Sequence, residues 1–165
     1  MNTKYEFTGE TKIVYGRTLR RIKAIVAIGA TVAPGDIGGW IENENNLSVY
    51  GNAWVYGDAE VYGNAIVSGN ARVYGDARVY GNAEVYGDAM VSGNADYMTF
   101  KNSWSSGRWF TYTASNKKWK VGCFYGTGDE LVRKAYADSE LSGKCYEAIV
   151  RAVEAIEAAK ESEVK

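Results

Sequence analysis

The most regular pattern of apolar and polar positions in the chain runs from Val49 to Asp96. A hexapeptide is written there eight times without an insertion, with valine first, glycine third and alanine fifth. An amphipathic helix needs apolar residues three and four positions apart, and the Gly and Asn or Asp of every repeat are poor helix formers. The pattern instead predicts a short extended segment followed by a tight turn, because valine packs well on a pleated surface and Gly with Asn or Asp suits a corner.

The fixed period also predicts how these segments assemble, since self-similarity at a constant spacing is the signature of a solenoid. Three hexapeptides make one coil, and coils stack by parallel strand pairing about 4.8 Å apart. The repeats resemble the hexapeptide-repeat, left-handed β-helix family, in which an aliphatic residue, Gly and a small residue alternate with variable positions. That resemblance implies the left-handed sense of the coil and a trimeric assembly.

The segments on either side of the repeats carry other patterns. Residues 1–48 predict an N-terminal β segment, followed by an irregular first coil that covers one end of the stack. Residues 97–165 predict a C-terminal cap. The expected fold class is mainly β, with a left-handed parallel β-helix over residues 49–96 between these two parts. The residues expected to cover the open end of the first coil are Ile37, Trp40 and Leu47.

The C-terminal segment combines strand and helix patterns. Three strands, YMTF, RWFTYT and WKVGCF, are expected to form a meander across the second end of the repeats. Thr127 and Glu130 have capping-box spacing, which predicts a first helix running to about Ala137. Ser142 is the expected cap of a second helix, whose apolar residues follow helical spacing. That apolar stripe consists of Tyr146, Ile149, Val150, Val153 and Ile156.

Histidine is absent from the 165 residues. Its absence excludes Ser-His-Asp and Cys-His nucleophile systems and histidine metal sites. Hexapeptide acyltransferases use a histidine general base, so the resemblance to that family implies a degenerate acyltransferase at best. The chain is therefore expected not to be an enzyme, and neither a cofactor nor a metal ion is expected.

Charge and hydropathy narrow the setting further. A net charge of −1 supplies no field that would draw the chain to nucleic acid or a membrane. The longest apolar run, residues 24–33, is too short to cross a bilayer, and the first ten residues lack the apolar core of a signal peptide. Cys123 and Cys145 make no disulfide framework. A cytoplasmic protein is expected.

A second resemblance rests on GDIGGWIENENNLS before the repeats and on GCFYGT after them. With the VYGNA-type repeats between them, these segments are similar to a family of small bacteriophage and prophage proteins. The resemblance extends from about Tyr5 to the last helix, and it implies a viral protein in the cytoplasm of a host cell. It carries no catalytic residues to transfer.

The outward positions of the repeats are rich in aromatic side chains. Tyrosine, tryptophan and methionine are enriched at protein interfaces, which favours a homo-oligomer. The alternative is that tyrosine is a good strand residue whose hydroxyl group stays in water. The predicted interface residues are Tyr50, Trp54, Tyr56, Tyr62, Tyr74, Tyr80, Tyr86 and Met90.

Groups suited to an anionic, ring-bearing ligand occur together in the C-terminal segment. Arginine offers a fork for phosphate, tryptophan offers a stacking face, and a helix start at Thr127 adds partial positive charge. The competing interpretation is a cap that only seals the end of the coil. The predicted ligand-binding residues are Ser105, Ser106, Arg108, Trp109, Lys120, Gly126 and Thr127.

These observations leave three function classes. The first is a non-catalytic oligomeric binding protein that evades host defence by sequestering a nucleotide-like signal or by capturing a host protein. The second is a structural or assembly module. The third is a degenerate hexapeptide acyltransferase.

Overall fold

The computed structural model describes residues 1–164, over which the chain is mainly β with two α-helices at its C-terminal end. The elements are β1 Tyr5–Val14, β2 Arg17–Ala24, β3 Ile37–Ile41, β4 Trp54–Val55, β5 Glu60–Val61, β6 Ile66–Val67, β7 Arg72–Val73, β8 Arg78–Val79, β9 Glu84–Val85, β10 Met90–Val91, β11 Tyr97–Lys101, β12 Trp109–Thr113, β13 Lys118–Val121, β14 Phe124–Gly126, α1 Gly128–Asp138 and α2 Glu140–Glu163. No helix in the described part is long and apolar enough to cross a bilayer.

The two-residue strands of residues 49–96, the repeat region, pair in three parallel ladders. One ladder contains β4, β7 and β10, the second continues from β3 through β5 to β8, and the third contains β6 and β9. Asparagine side chains at the corners pair with the same eighteen-residue offset, as from Asn52 to Asn70 at 3.2 Å. The pairing expected from the period is confirmed, and the handedness of the coil stays a prediction.

The valines and alanines of the three ladders belong to one core. Every repeat valine from Val55 to Val91 and every repeat alanine from Ala53 to Ala89 is fully buried. Small alanines at the turns and β-branched valines on the strands therefore fill this core in alternation, as the hexapeptide pattern predicts. The first repeat departs from the pattern, because Val49 precedes the ladders and is partly exposed.

Side chains close the last strand of each ladder. The backbone N–H of Arg78 in β8 donates to Asn94 Oδ1 at 3.0 Å. The equivalent N–H of Glu84 in β9 donates to Thr111 Oγ1 at 2.9 Å, and that of Met90 in β10 donates to Ser115 Oγ at 2.8 Å. An unpaired strand edge would expose these donors, so three side chains replace the next coil.

The N-terminal β segment is an antiparallel hairpin of β1 and β2 that adds to β3 at the side of the repeats. A register shift between Phe7 and Thr11 accommodates Gly9, whose φ is 93°, within the continuous strand β1. Trp40 and Leu47 are buried as expected, but Ile37 is exposed and covers nothing. The core-facing position is taken by Gly38, where a Cβ would stand 2.6 Å from the Trp54 ring. Because neighbouring residues of a strand point to opposite faces, Ile37 faces outward.

The hairpin also buries three residues that the repeat pattern places outside. Trp54 packs edge-on against Tyr5 at 6.3 Å between ring centroids. Glu60 pairs with Lys12 at 2.7 Å, and Tyr62 lies beneath Leu19 and Trp40. The prediction of Trp54 and Tyr62 as interface residues is therefore wrong, and Glu60 is buried with them.

The cap has four strands instead of three, because Gly122 adopts a left-handed turn (φ 53°) that divides WKVGCF into β13 and β14. The capping box of α1 is present, and α1 ends at Asp138. Ser139, and not Ser142, caps α2: its hydroxyl oxygen accepts the Ser142 N–H at 3.1 Å. Tyr146, Val150 and Val153 of the predicted stripe are buried against the meander, whereas Ile156 is exposed.

Candidate ligand-binding clefts

A cleft of about 660 Å³ lies where the tip of the β1–β2 hairpin meets the corner between two ladders. We call it the tip cleft. Two stacked tyrosines line it, Tyr62 and Tyr80, with ring centroids 5.4 Å apart and planes 8° apart. This stack follows directly from the repeat, since the two residues occupy equivalent positions in successive coils. Tyr62 is buried, and burial together with the charge of Glu60 raises the pKa of its hydroxyl group.

Every charged side chain of the tip cleft has an opposite charge beside it. Arg17 donates to both carboxylate oxygens of Glu42 at 3.0 Å, and the Gly63 N–H also donates to Glu42 at 2.7 Å. Arg78 lies 3.1 Å from Glu60 through Nε and donates through Nη1 to the Tyr15 hydroxyl oxygen at 3.1 Å. The cleft is therefore polar, and each of its guanidinium groups has a carboxylate beside it.

A second cleft, of about 310 Å³, is lined by Trp109, Arg108, Asn64 and Asn82 among others. We call it the Trp109 cleft. Trp109 begins β12, and its side chain is 40% exposed. Arg108 crosses the turn at Gly122 so closely that a Cβ there would stand 3.1 Å from the guanidinium.

A smaller cleft of about 250 Å³ connects the tip cleft to the Trp109 cleft, since Tyr80 and Trp109 both line it. The exposed aromatic faces of these two residues therefore open onto one continuous groove. Asn82 lines all three clefts, at the corner where the asparagine ladder runs. The groove is thus built jointly by the repeats, the hairpin and the cap.

Three of the predicted ligand residues, Ser105, Ser106 and Arg108, line a pocket of about 240 Å³ between the meander and the two helices. Buried Asn102 organises this loop: its side-chain oxygen accepts the Ser105 N–H at 2.9 Å, and its amide donates to the Tyr146 hydroxyl at 3.2 Å. Arg108 lies between this pocket and the Trp109 cleft and lines both.

Trp109 joins Arg108 in the Trp109 cleft, but Lys120, Gly126 and Thr127 line neither that cleft nor this pocket. The Lys120 ammonium donates to the Gly122 carbonyl and lies 4.9 Å from the Tyr86 ring centroid. Gly126 is buried in β14. At Thr127 the helix start is occupied by the chain's own carboxylate, because Glu130 accepts the Thr127 N–H at 2.7 Å and these hydrogen bonds lower the pKa of Glu130. The seven residues therefore do not form one site.

The predicted interface residues divide by exposure. Trp54 and Tyr62 are buried within the chain and cannot contact a partner. Tyr56 and Tyr74 are half-buried. The remaining four, Tyr50, Tyr80, Tyr86 and Met90, are exposed, and the interface stays a prediction for them.

Sequence reasoning missed several groups of the tip cleft, including Tyr15, Arg17, Glu42 and Arg78. One signal was present: Glu60 and Arg78 are opposite charges at equivalent positions of successive coils, which places them side by side in a ladder. The others depend on the hairpin bending over the repeats, which no local pattern reports.

Two short stretches, residues 59–75 and 71–85, match the model of a family described as the YdcK beta solenoid repeat. Both lie within the repeat region. The chain is thus similar to β-solenoid repeat proteins there, in agreement with its parallel ladders. No curated protein matches the chain.

Proposed function

We propose that this protein is a non-catalytic binding protein that holds a nucleotide-like ligand in the Trp109 cleft. The observation that carries the proposal is that the exposed Trp109 ring and the Arg108 guanidinium line one cleft. A tryptophan face stacks a nucleobase without regard to its identity, and a guanidinium fork matches phosphate geometry.

The charges around the groove single out Arg108. Arg17 is paired with Glu42 and Arg78 with Glu60, whereas Arg108 has no carboxylate within salt-bridge distance among residues 1–164. A phosphate at Arg108 therefore does not have to displace an existing ion pair. Glu84, which also lines this cleft, lies 3.9 Å from the Lys120 ammonium, so its charge is partly compensated.

The asparagine corner supplies the polar partners for a base edge. Asn64 donates its amide to the Asn82 side-chain oxygen at 3.2 Å. That bond leaves the Asn64 oxygen as an acceptor and the Asn82 amide as a donor. Because the ladder fixes both groups, they are preorganised for a ligand stacked on Trp109.

Sequestration suits this arrangement better than catalysis, because the chain contains no histidine. On the resemblance to phage proteins, the ligand is a host signal, and the left-handed β-helix acts as a rigid trimeric scaffold in the host cytoplasm. A structural or assembly module is the second candidate, favoured by the exposure of Tyr50, Tyr86 and Met90. Turnover of acetyl-coenzyme A with any acceptor would instead support the acyltransferase class.

The test is a thermal-shift screen with mononucleotides, cyclic dinucleotides and ADP-ribose derivatives. A ligand that binds the folded state raises the melting temperature by mass action. We expect Arg108→Ala and Trp109→Ala to abolish the shift. Arg133→Ala is the matched control, because it removes the same charge from an exposed position on α1.

Two results would contradict the proposal. One is that no nucleotide raises the melting temperature. The other is that a nucleotide binds equally well to the wild type and to Arg108→Ala. Light scattering addresses the assembly separately: a trimer is expected, and a monomer at micromolar concentration would refute it.

A further inference from the structure

We infer that the tip cleft is a second binding site, for an uncharged oligosaccharide. This inference does not rest on the proposed function, because Arg108 and Trp109 take no part in it. The two clefts share Asn64 and Asn82, and Tyr80 lines the tip cleft and the smaller cleft that connects them.

Aromatic faces give the first reason. Tyr15 is 75% exposed and Tyr80 is 51% exposed, and both line the cleft. The buried Tyr62 ring stacks behind Tyr80 and fixes its orientation. A flat aromatic face shields the C–H groups of a pyranose ring from water, while the hydroxyl groups at the rim of the sugar stay free for hydrogen bonds.

Tyr15 provides the second reason. It holds a left-handed backbone conformation (φ 49°) in the hairpin turn, where Asn or Gly is favoured. Its ring is largely in water, so packing does little to offset the cost of this conformation. Its hydroxyl oxygen accepts a hydrogen bond from Arg78, and the guanidinium lies 5.7 Å from the ring centroid. The turn and Arg78 together hold an aromatic platform over the cleft.

Charge gives the third reason and selects the ligand class. Arg17 is paired with Glu42, and Arg78 contacts Glu60, whose carboxylate also pairs with Lys12 outside the cleft. An anionic ligand would compete with two fixed carboxylates, and a cationic ligand with two guanidinium groups. An uncharged ligand leaves both pairs intact, and its hydroxyl groups can donate to the carboxylates and accept from the guanidinium groups.

The amides of the cleft complete the polar match. The side-chain oxygens of Asn43, Asn82 and Asn94 each accept a hydrogen bond within the protein, so each residue keeps a free NH₂ group. Asn64 keeps a free oxygen, because its own NH₂ group is used in the ladder. Neutral donors and an acceptor thus surround the aromatic faces, as hydroxyl groups spaced around a sugar ring require.

The test is an array of neutral and acidic glycans probed with the full chain, followed by titration calorimetry on the glycans that bind. We expect neutral glycans to bind, with a dissociation constant of about 0.1–1 mM for a single site. Tyr15→Ala and Tyr80→Ala should each weaken binding about tenfold or more, since each removes one aromatic face. Tyr50→Ala is the matched control, because Tyr50 is still more exposed but lies outside the cleft.

Circular dichroism melts of each variant separate loss of the site from loss of the fold. Arg108→Ala should bind neutral glycans like the wild type, which distinguishes this site from the Trp109 cleft. The inference is overturned if no neutral glycan binds the wild type above Tyr15→Ala, or if only acidic glycans bind. It is also overturned if Tyr50→Ala weakens binding as much as Tyr15→Ala.

Discussion

The repeat region and the C-terminal cap solve the same problem, a buried core, in opposite ways. In the repeats one residue type serves one role at every turn, so that every valine from Val55 to Val91 is fully buried in the same core. In the cap each buried residue is used once: Phe110 contacts Phe100, Trp119 and Tyr146 through ring pairs at different angles. A core built from repeated residues can therefore be predicted from their spacing alone. A core built from aromatic residues that each occur once cannot be predicted in this way.

The largest expected effect comes from a charge in the repeat core. Val67→Asp buries a carboxylate beside Val85 and Leu47, and we expect it to lower the free energy of unfolding by about 4 kcal/mol. Ile66→Asp is the matched control, because Ile66 precedes Val67 on the same strand but its side chain is exposed. Chemical denaturation measures both. Equal midpoints for the two variants would show that the assigned register is wrong.

In the cap, Phe110→Ala removes the ring at the centre of the aromatic cluster. We expect a loss of about 3 kcal/mol in the free energy of unfolding, since the cavity left among Trp119 and Tyr146 cannot close. The exposed neighbour offers the control: Trp109→Ala should cost about 1 kcal/mol or less. A loss for Phe110→Ala no larger than that of the control would mean that the cap core is not organised around this ring.

The comparison is sharpened by a series within the repeats. Val61→Ala, Val67→Ala and Val73→Ala should each lower the free energy of unfolding by about 2 kcal/mol, because all three valines are fully buried and each has a paired residue on both sides in its ladder. We expect the three values to agree within about 0.5 kcal/mol, measured by urea denaturation. A wide spread would show that the coils are not energetically equivalent despite their common pattern.

The smallest effect concerns the start of α1. Thr127→Ala removes the hydroxyl oxygen that accepts the Glu130 N–H, and we expect a loss of about 1 kcal/mol. Ser106→Ala is a control of equal chemistry in an exposed loop, and it should cost less. Thermal unfolding monitored by circular dichroism is sensitive enough for the difference.

The partner of Thr127 adds a dependence on pH. Hydrogen bonds from Thr127 hold the pKa of Glu130 below its ordinary value of 4.5. The folded state therefore binds fewer protons there than the unfolded state, so this contribution is present above the unfolded pKa and is lost as pH falls through the folded pKa. Glu130→Gln should remove that part of the acid sensitivity, and an unchanged acid limb would contradict the assignment.

The sequence predicts structure well where a role repeats or is local. The spacing of the valines and alanines predicts the ladders, and the capping-box spacing of Thr127 and Glu130 predicts the start of α1. It fails where distant segments meet. Trp54 and Tyr62 read as surface positions, and only the hairpin packed over them makes them core.

The residues of the candidate sites also differ in whether their proximity is local or depends on distant segments. Ser105, Ser106 and Arg108 belong to one loop, so their proximity follows from the chain itself. Gly126 lies away from this loop, because β14 runs back along β13 and Gly126 pairs there with Trp119. Tyr15 and Arg78 meet across a hydrogen bond that joins the hairpin to the repeats, and nothing local in the sequence relates them.

Because strands pair at a constant offset of eighteen residues, the number of hexapeptides determines how the C-terminal cap is oriented relative to the N-terminal hairpin. Inserting one hexapeptide keeps every valine inward but advances all later residues by one ladder, so that Trp109 leaves the corner held by Asn64 and Asn82. Inserting three hexapeptides restores the bearing and moves the cap outward by about 4.8 Å, the spacing of one strand. Duplication of single hexapeptides in the gene can therefore move the cap from one ladder to the next. The groove that repeats, hairpin and cap share is kept only when hexapeptides are added in multiples of three.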